Sequence, residues 1–220
     1  AGLSVVLVDI EQAFVERGLK NIIKNWDKDL SKGKISEDDK AKFISNITPS
    51  THNIDFQDCD LVIEVIVENI DIKKKVFKDL NDICAPHAIL ASNTSGFSIT
   101  EMAAASGRPD KFVGMHFFNP VPVMKLVEII PGIETTEETV ATAMEVAGII
   151  GKRAIRCKEA PGFIVNRILV PYLNDAATAY QEGVASVEDI DEAMKLGANM
   201  PIGPLALCDL VGIDVLLMVV

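Results

Sequence analysis

Short apolar runs recur along the first 157 residues, and most of them are continuous rather than alternating. A continuous run is typical of a parallel strand that helices cover on both faces. Segments with apolar residues at helical spacing separate these runs. The runs predict strands over 5–8, 60–67, 88–91, 111–115, 126–130 and 153–157, and the spacing predicts helices over 11–30, 71–83, 100–105 and 134–150. This alternation of strand and helix predicts a doubly wound α/β sheet.

The stretch 114–128 breaks the alternation. Two prolines follow His116 closely and force the chain to turn, so we expect the run 126–130 to return antiparallel to the strand before it. Such a hairpin carries Glu128 back toward His116, and a carboxylate beside an imidazole can orient it. His116 is one of only three histidines, which makes it the first candidate for acid–base chemistry.

Polar groups stand where four of the predicted strands end. These groups are Asp9, Glu68, Asn93 with Ser95, and His116. In open α/β sheets, ligands bind outside the carboxyl ends of the parallel strands. The coincidence therefore predicts a ligand site at that edge of the sheet.

Two of the acidic residues have more than one interpretation. Asp9 follows the first strand, where an acid can bond a ribose diol, but a helix starts at once, so it is equally well placed as a helix N-cap. Glu64 interrupts an apolar run, and a buried charge is unfavourable unless it is satisfied. Glu64 therefore either reaches a strand end or finds a partner.

The chain is acidic, with a net charge of −11 over 220 residues and a pI near 4.7, and its 49% hydrophobic content is ample for a core. This charge argues against broad nucleic-acid binding, which needs an extended basic surface. Lys20, Lys24, Lys28 and Lys32 nevertheless recur four apart on one helix face. The stripe can meet a phosphorylated ligand, or it is a solvated face paired with neighbours such as Glu16.

The strand pattern ends at 158–162, which we interpret as a hinge, and a long helix over 163–182 begins the remainder. We predict a sheet domain over 1–158 and a smaller all-α domain over 159–220. The four cysteines form no C-x-x-C pair, so no metal site is indicated and we expect reduced thiols and a cytoplasmic location. No apolar run approaches the roughly 20 residues that span a bilayer, so we expect a soluble protein that does not bind membranes.

Four ordered motifs give the chain a resemblance to a known family. They are SNTS (92–95), GMHFFNP (114–120), VMKLVE (123–128) and PGFIVNR (161–167). With these motifs the chain resembles the L-3-hydroxyacyl-CoA dehydrogenases, and in particular the bacterial 3-hydroxybutyryl-CoA dehydrogenases. The resemblance covers essentially the whole chain. It implies a Rossmann-like sheet domain that binds NAD, a helical domain for substrate and homodimer contacts, and an acyl-CoA substrate.

The resemblance also implies a role for individual residues. His116 matches the family's catalytic histidine and Glu128 its partner, while Ser95 and Asn166 match residues near the substrate oxygen. Asp9 matches the acid that holds the adenosine ribose. The other positions that match NAD contacts are Glu68, Lys73, Asn93, Ser95 and Asn119, and position in the first helix suggests Asn25 and Lys32 near coenzyme A. Taken singly, each residue has an ordinary structural explanation, and only their joint spacing favours the site.

One feature departs from the family pattern. The family begins with a strand and a G-x-G-x-x-G turn that holds the pyrophosphate, and this sequence contains no G-x-G. We therefore expect an internal fragment that lacks this unit and the end of the helical domain. Because the first strand of this fold lies in the middle of the sheet, we also expect a break in the strand pairing.

The sequence is also compatible with two other functions. One is another two-domain NAD(P)-dependent dehydrogenase acting on a hydroxy acid or a sugar acid, which binding to free acids rather than coenzyme A thioesters would identify. The other is a non-catalytic relative that keeps the fold. The pair of His116 and Glu128 argues against the second reading, and the absent Gly-rich turn argues for it.

Overall fold

The strands and helices that the hydrophobic pattern predicts up to Arg156 are present, and a further helix and strand lie between residues 37 and 50. The structure is a computed structural model that describes residues 1–217. Its strands are β1 (Val5–Val8), β2 (Ile47–Ser50), β3 (Leu61–Glu64), β4 (Ile89–Ser92), β5 (Phe112–Phe117), β6 (Leu126–Pro131) and β7 (Arg153–Arg156). Its helices are α1 (Gln12–Ser31), α2 (Glu37–Ser45), α3 (Ile70–Ile83), α4 (Ile99–Ser106), α5 (Glu137–Ile149), α6 (Val165–Gln181), α7 (Val187–Ala198), α8 (Pro204–Val211) and α9 (Ile213–Leu217). Short 3₁₀ turns lie at Asn53–Phe56 and Pro109–Lys111.

The larger sheet has five strands in the order β3-β4-β5-β6-β7. All neighbours are parallel except β5 and β6, which run antiparallel, as the proline-rich turn between them predicts. The register of this antiparallel pair sets His116 directly opposite Glu128. Side chains that face each other in this way lie on the same side of the sheet, so the hairpin alone brings the two groups together.

The smaller sheet consists of β1 and β2, which pair in parallel. Within residues 1–217, β1 pairs with β2 alone and β3 pairs with β4 alone, so the strand pairing is broken between β1 and β3. The expected break in the sheet is therefore present. It divides the strand-end residues into two groups, because Asp9 follows the smaller sheet and the others follow strands of the larger one.

Helices cover the larger sheet on both faces. In β4, Leu90 packs with Phe77 of α3 on one face, and its neighbours Ile89 and Ala91 pack with α5 on the other. Successive strand residues point to opposite faces, and both faces are covered by helices. Each residue of a buried strand is therefore apolar, which explains the continuous apolar runs in the sequence. The ring of Phe77 meets the ring of Phe112 edge-on, with the centroids 4.6 Å apart.

After β7 the described residues form four helices, α6 to α9, joined by turns. The Asp191 side chain of α7 accepts hydrogen bonds from the amides of Leu205 and Ala206, at 2.8 and 2.9 Å, and so caps α8. Gly203 permits this approach, because a Cβ there would lie 2.2 Å from the Asp191 Cγ. Residues 218–220 of the predicted second domain lie outside the described residues. No helix within 1–217 is long and apolar enough to cross a bilayer.

Candidate active site

An imidazole and a carboxylate form the centre of the site. His116 Nδ1 lies 2.7 Å from Glu128 Oε2, and both side chains are buried, with Glu128 at 0% exposure. The second oxygen of Glu128 accepts the backbone amides of Ile164 and Val165, each at 3.0 Å. These amides stand at the start of α6, where the helix dipole favours a negative charge. The buried carboxylate thus has three donors.

The state of the carboxylate fixes the state of the imidazole. Burial alone would raise the pKa of Glu128, but hydrogen bonds from His116 and from the Val165 and Ile164 amides, together with attraction to His116, hold the pKa below its ordinary value of 4.5. An ionised carboxylate only accepts, so Nδ1 of a neutral His116 must donate. Its Nε2 then carries the free electron pair of a base.

Ser95 supplies the group that faces this base. Its Oγ lies 3.2 Å from His116 Nε2, where the hydroxyl can donate. Ser95 sits in the polar turn after β4, and the turn is held by Glu68, whose Oε1 accepts the Ser95 amide at 3.2 Å and the Thr94 hydroxyl. The sequence motif therefore folds so that the Ser95 hydroxyl points at the histidine.

Two phenylalanines flank the imidazole. The Phe118 ring centroid lies 4.6 Å from that of His116, and the Phe163 centroid lies at 5.5 Å with its ring nearly edge-on. Phe163 is buried and has a φ of 51°, an uncommon value for an aromatic residue. Phe163 lies in the PGFIVNR motif, but no local pattern marks it as a site residue, because its contact with His116 depends on tertiary packing and on this unusual backbone conformation.

Three of the four predicted asparagines, Asn93, Asn119 and Asn166, have different surroundings. Asn93 Oδ1 accepts the amide of Phe117 at 2.8 Å, which joins the ends of β4 and β5. Asn166 is half-buried in the first turn of α6, next to the amide of Val165 that bonds Glu128. Asn119 is exposed and follows Phe118 in the turn. The side chains of Asn166 and Asn119 have no hydrogen-bond partner within residues 1–217, so both can bond a ligand.

Glu64 both ends a strand and finds a partner. It is the last residue of β3, and its Oε1 lies 2.6 Å from Nζ of Lys73. Lys73 also lies 3.1 Å from Glu68 and is only 1% exposed. A lysine buried to this degree has almost no surface left for a direct ligand contact. The charge of Glu64 inside an apolar run indicates that a partner is needed, but the sequence does not identify Lys73 as that partner.

Asp9 does not cap the first helix. The N-cap of α1 is Glu11, and within residues 1–217 the Asp9 side chain accepts only the amide of the next residue, Ile10, at 2.8 Å. The helix-cap interpretation is therefore wrong. An exposed carboxylate at the end of β1 is left free to bond a ligand, in agreement with the ribose interpretation.

Asn25 and Lys32 lie on α1 and at its C-cap, and both are exposed. Within residues 1–217, no hydrogen bond or ion pair joins them to His116 or its partners. The whole stripe of Lys20, Lys24, Lys28 and Lys32 is exposed, and none of the four ammonium groups forms an ion pair in the described chain. Glu16, the suggested neighbour, accepts from Gln12 instead. The stripe thus keeps its charge available.

A cysteine near the site takes no part in acid–base chemistry at neutral pH. Burial, and then the charge of Glu128, raises the pKa of the Cys157 thiol to about 11. Only the thiolate is a strong nucleophile. Cys157 therefore stays protonated beside the carboxylate.

The strand ends have the features that a dinucleotide requires, with one exception. Asp9 offers a carboxylate to a ribose, and the exposed Val65 and Val67, at 68% and 65%, offer apolar surface for flat rings. The Asn93 amide nitrogen is free to donate, because only its oxygen is occupied in the described chain. The sequence holds no Gly-rich turn for the pyrophosphate. The residues present therefore fit the sugars and rings of NAD rather than its phosphates.

A doubly wound sheet with a histidine–carboxylate pair at its strand ends is the arrangement of a nucleotide-dependent dehydrogenase. Two family models together match nearly the whole chain. The "3-hydroxyacyl-CoA dehydrogenase, NAD binding domain" model matches residues 1–160, and the "3-hydroxyacyl-CoA dehydrogenase, C-terminal domain" model matches residues 162–220. The chain belongs to the 3-hydroxyacyl-CoA dehydrogenase family, whose N-terminal domain binds NAD.

Individual relatives agree with this family. The chain is 50% identical to a 3-hydroxybutyryl-CoA dehydrogenase of Clostridioides difficile, over 98% of this chain and 77% of the relative. It is 46% identical to the human mitochondrial hydroxyacyl-coenzyme A dehydrogenase, over 97% and 70% of the two chains. A crystal structure of an (S)-3-hydroxybutyryl-CoA dehydrogenase from Ralstonia eutropha superposes with a TM-score of 0.97 at 48% identity, over 99% and 77%. The chain thus spans about three-quarters of the length of these relatives.

Family membership removes one of the two alternative functions. The matched models and relatives leave no support for an unrelated hydroxy-acid or sugar-acid dehydrogenase with the same architecture. The Rossmann-like sheet followed by a helical domain is confirmed by the same matches. The predicted boundary at 158 and the roles of individual site residues stay predictions.

Proposed function

We propose that this chain interconverts an L-3-hydroxyacyl-CoA, in particular 3-hydroxybutyryl-CoA, and the corresponding 3-ketoacyl-CoA with NAD as cofactor. The observation that carries the proposal is the array of Glu128, His116 and Ser95, in which a buried carboxylate holds a buried imidazole whose Nε2 faces the half-buried Ser95 hydroxyl. NAD, when bound, supplies the acceptor for the hydride that leaves C3. The names of the relatives support the short-chain substrate.

His116 acts as the general base. As the 3-hydroxyl becomes a carbonyl, its proton moves to Nε2, and in the reverse direction Nε2 returns it. Imidazole is the side chain best suited to take up and return a proton near neutral pH. Glu128 holds Nδ1 as the donor and stabilises the imidazolium, as orienting carboxylates do in other His–acid pairs.

Ser95 and Asn166 hold the substrate oxygen. The Ser95 hydroxyl already lies within hydrogen-bond distance of Nε2, so a substrate oxygen that bonds Ser95 comes next to the base. Asn166 follows Val165, whose amide bonds Glu128, and its half-buried position in the first turn of α6 supports a contact with the substrate. Both groups orient the hydroxyl before the proton moves.

Cofactor and coenzyme A contacts come from the exposed polar groups. Asp9 bonds the adenosine ribose, and Glu68, Asn93, Ser95 and Asn119 contact NAD. Lys73 acts on NAD through Glu68, since it is buried. Asn25 and Lys32 lie near coenzyme A, and the unpaired lysine stripe of α1 supports this placement, because coenzyme A carries phosphates.

The helical part, from 159 onward, contributes substrate contacts and a homodimer interface. Large apolar side chains are exposed there, which favours a partner surface. They include Ile168, Leu196, Leu210, Ile213 and Leu217. A sheet domain ending at 158 and a cytoplasmic location belong to the same proposal, and the four cysteines, none of which forms a disulfide, support the location.

The His116→Gln variant of the protein that carries this chain tests the proposed function. Gln cannot take the proton, so kcat should fall by on the order of 10² to 10⁴ while NAD binding changes little. His87→Gln is the matched control, because His87 is exposed and pairs with Asp60 before β4, at the opposite end of the strand from Ser92.

Each result has a clear reading. A His116→Gln enzyme with near-normal turnover would refute the assignment of the base. If the wild-type protein binds NAD and acyl-CoA but turns over neither 3-hydroxybutyryl-CoA nor acetoacetyl-CoA, the non-catalytic relative is the correct reading.

A further inference from the structure

Both oxygens of the buried Glu64 carboxylate accept hydrogen bonds. Its Oε1 lies 2.6 Å from Lys73 Nζ and accepts the Ile66 amide at 2.7 Å, and its Oε2 accepts the Ser92 hydroxyl at 2.7 Å. The Glu64 carbonyl accepts the Asn93 amide at 2.9 Å. Glu64 therefore contacts both the loop that follows β3 and the turn that follows β4.

Lys73 links Glu64 to an exposed carboxylate. One ammonium lies between Glu64 at 2.6 Å and Glu68 at 3.1 Å, so the three groups carry a net charge of −1. Both Lys73 and Glu64 have side chains that are 1% exposed, which makes their attraction stronger than in water. The Lys73 ammonium therefore bonds two carboxylates, the buried Glu64 and the more exposed Glu68, rather than Glu68 alone.

The Glu68 oxygen that does not face Lys73 bonds the turn 92–95, which carries Ser95. Glu68 Oε2 faces Lys73, and Oε1 accepts the Thr94 hydroxyl and the Ser95 amide. Ser92, which bonds Glu64, also accepts the Thr94 amide at 3.3 Å. The turn 92–95 is thus held from both sides by groups that depend on Glu64, and its last residue points Oγ at His116 Nε2.

We propose that Glu64 is a positioning residue for the reaction, which acts through Lys73–Glu68 and through Ser92 to hold the Ser95 hydroxyl against His116. The proposal rests on the proposed function. Glu64 touches neither His116 nor Ser95 itself, so its effect on turnover passes through the turn.

A purely structural role for Glu64 gives a different expectation. A buried ion pair adds little net stability, and breaking one destabilises the fold without changing the chemistry of the molecules that stay folded. A positioning role lowers the turnover of the folded enzyme, because a small displacement of an orienting group is sufficient to slow a reaction. Turnover per folded molecule separates the two roles.

The first test is Glu64→Gln in the protein that carries this chain. Gln keeps the shape of the side chain and one acceptor oxygen but removes the charge that holds Lys73. We expect kcat per folded molecule to fall about 10- to 100-fold, with a smaller change in KM for acyl-CoA. Glu101→Gln is the matched control, since Glu101 is exposed and pairs with Lys74, the neighbour of Lys73, and it should leave kcat unchanged.

The second test is a double-mutant cycle with Ser95→Ala. If Glu64 acts through Ser95, then Glu64→Gln should lower kcat far less in the Ser95→Ala background than in the wild type. Independent sites instead give effects that agree within about twofold in the two backgrounds. Agreement of that kind would overturn the proposal, as would an unchanged kcat in Glu64→Gln alone.

Ser92→Ala provides a variant that keeps every charge if Glu64→Gln does not fold. It removes the hydroxyl between Glu64 and Thr94, and we expect a smaller loss of kcat that again disappears in the Ser95→Ala background. Unchanged turnover in a folded Ser92→Ala enzyme would then refute the role. These outcomes differ from failure of the proposed function, in which the wild-type protein itself shows no dehydrogenase activity.

Discussion

The first sixty residues and the five-stranded sheet use their polar groups in opposite ways. Among residues 1–60, only Val15 is buried, and Asp9, Asn25 and Lys32 are all exposed. In the larger sheet, His116 and Glu128 are buried with the strands on which they lie. Both regions carry residues of the proposed site.

The difference follows from what each region has to do. A base works when its partner, tautomer and surroundings are fixed before the substrate arrives, so Glu128 has a donor for each of its oxygens. A ligand contact works when bonding capacity is left free, so Asp9 accepts only its neighbour's amide in the described chain. Substitutions in the sheet should therefore change kcat or stability, and those in the first sixty residues should change ligand preference.

The largest effect is expected for Glu128→Gln. The Gln amide can donate to Nδ1 of His116, which moves the ring proton to Nε2 and removes the base. We expect kcat to fall about 10²- to 10³-fold, measured with saturating substrate and cofactor. Glu137→Gln is the control, because Glu137 is exposed and pairs with Arg156 away from the histidine. Equal turnover of the two variants would contradict the orienting role.

The same variant predicts a change in acid stability. The folded state holds the pKa of Glu128 below 4.5, so the carboxylate contributes stability that is complete above that pH and is lost as the pH falls through the folded-state pKa. The difference in unfolding free energy between wild type and Glu128→Gln should be constant above pH 5 and shrink below it. Chemical denaturation at a series of pH values measures it, and a difference that does not shrink at all as the pH falls below 4.5 would contradict this linkage.

A smaller effect is expected when Arg108, a buried arginine between α4 and β5, is compared with Arg17, an exposed arginine in the first sixty residues. The guanidinium of Arg108 donates five hydrogen bonds at the end of α3, to Asn81, Cys84, Ala85 and Ala88. Arg108→Met removes all five of these hydrogen bonds and should lower the unfolding free energy by about 3 kcal/mol. Arg17→Met removes only a contact with the Phe14 ring and should lower it by at most about 1 kcal/mol. If Arg108→Met and Arg17→Met lower the unfolding free energy equally, burial does not explain the difference between the two regions.

The smallest effect is expected for Asp9→Asn. The carboxylate accepts from a ribose diol and repels a 2′-phosphate, so the wild type should prefer NAD over NADP. The substitution should lower the ratio of kcat/KM for NAD to that for NADP about tenfold, which corresponds to about 1.4 kcal/mol. Asp38→Asn, at an exposed position in α2, should leave the ratio unchanged. A wild type that prefers NADP would contradict the role of Asp9.

Local patterns were sufficient for the sheet and for its central pair. Continuous apolar runs predict strands covered on both faces, and the two prolines after His116 predict the one antiparallel connection. A period of two along β5 and β6 then brings Glu128 opposite His116. These features depend only on neighbours in the sequence and on the geometry of a hairpin.

The remaining features depend on tertiary contacts that no local pattern contains. From the sequence, Glu64 is an unfavourable charge inside an apolar run, and only the tertiary structure shows that Lys73 of α3 neutralises it. The role of Asp9 stays ambiguous until the first residue of α1 is known, because a shift of two positions separates a helix cap from a ligand contact. Phe163 reaches His116 only through a left-handed backbone conformation at the start of α6.

The two α6 amides on Glu128 make the position of that helix a proton-linked equilibrium. Displacement of α6 from β6 takes two donors from Oε1 and raises the proton affinity of the carboxylate. Protonation in turn weakens the hold of the carboxylate on the helix, and the two effects are equal by thermodynamic reciprocity. Any displacement of α6 from β6 would therefore take up protons at acidic pH, and its return would release them.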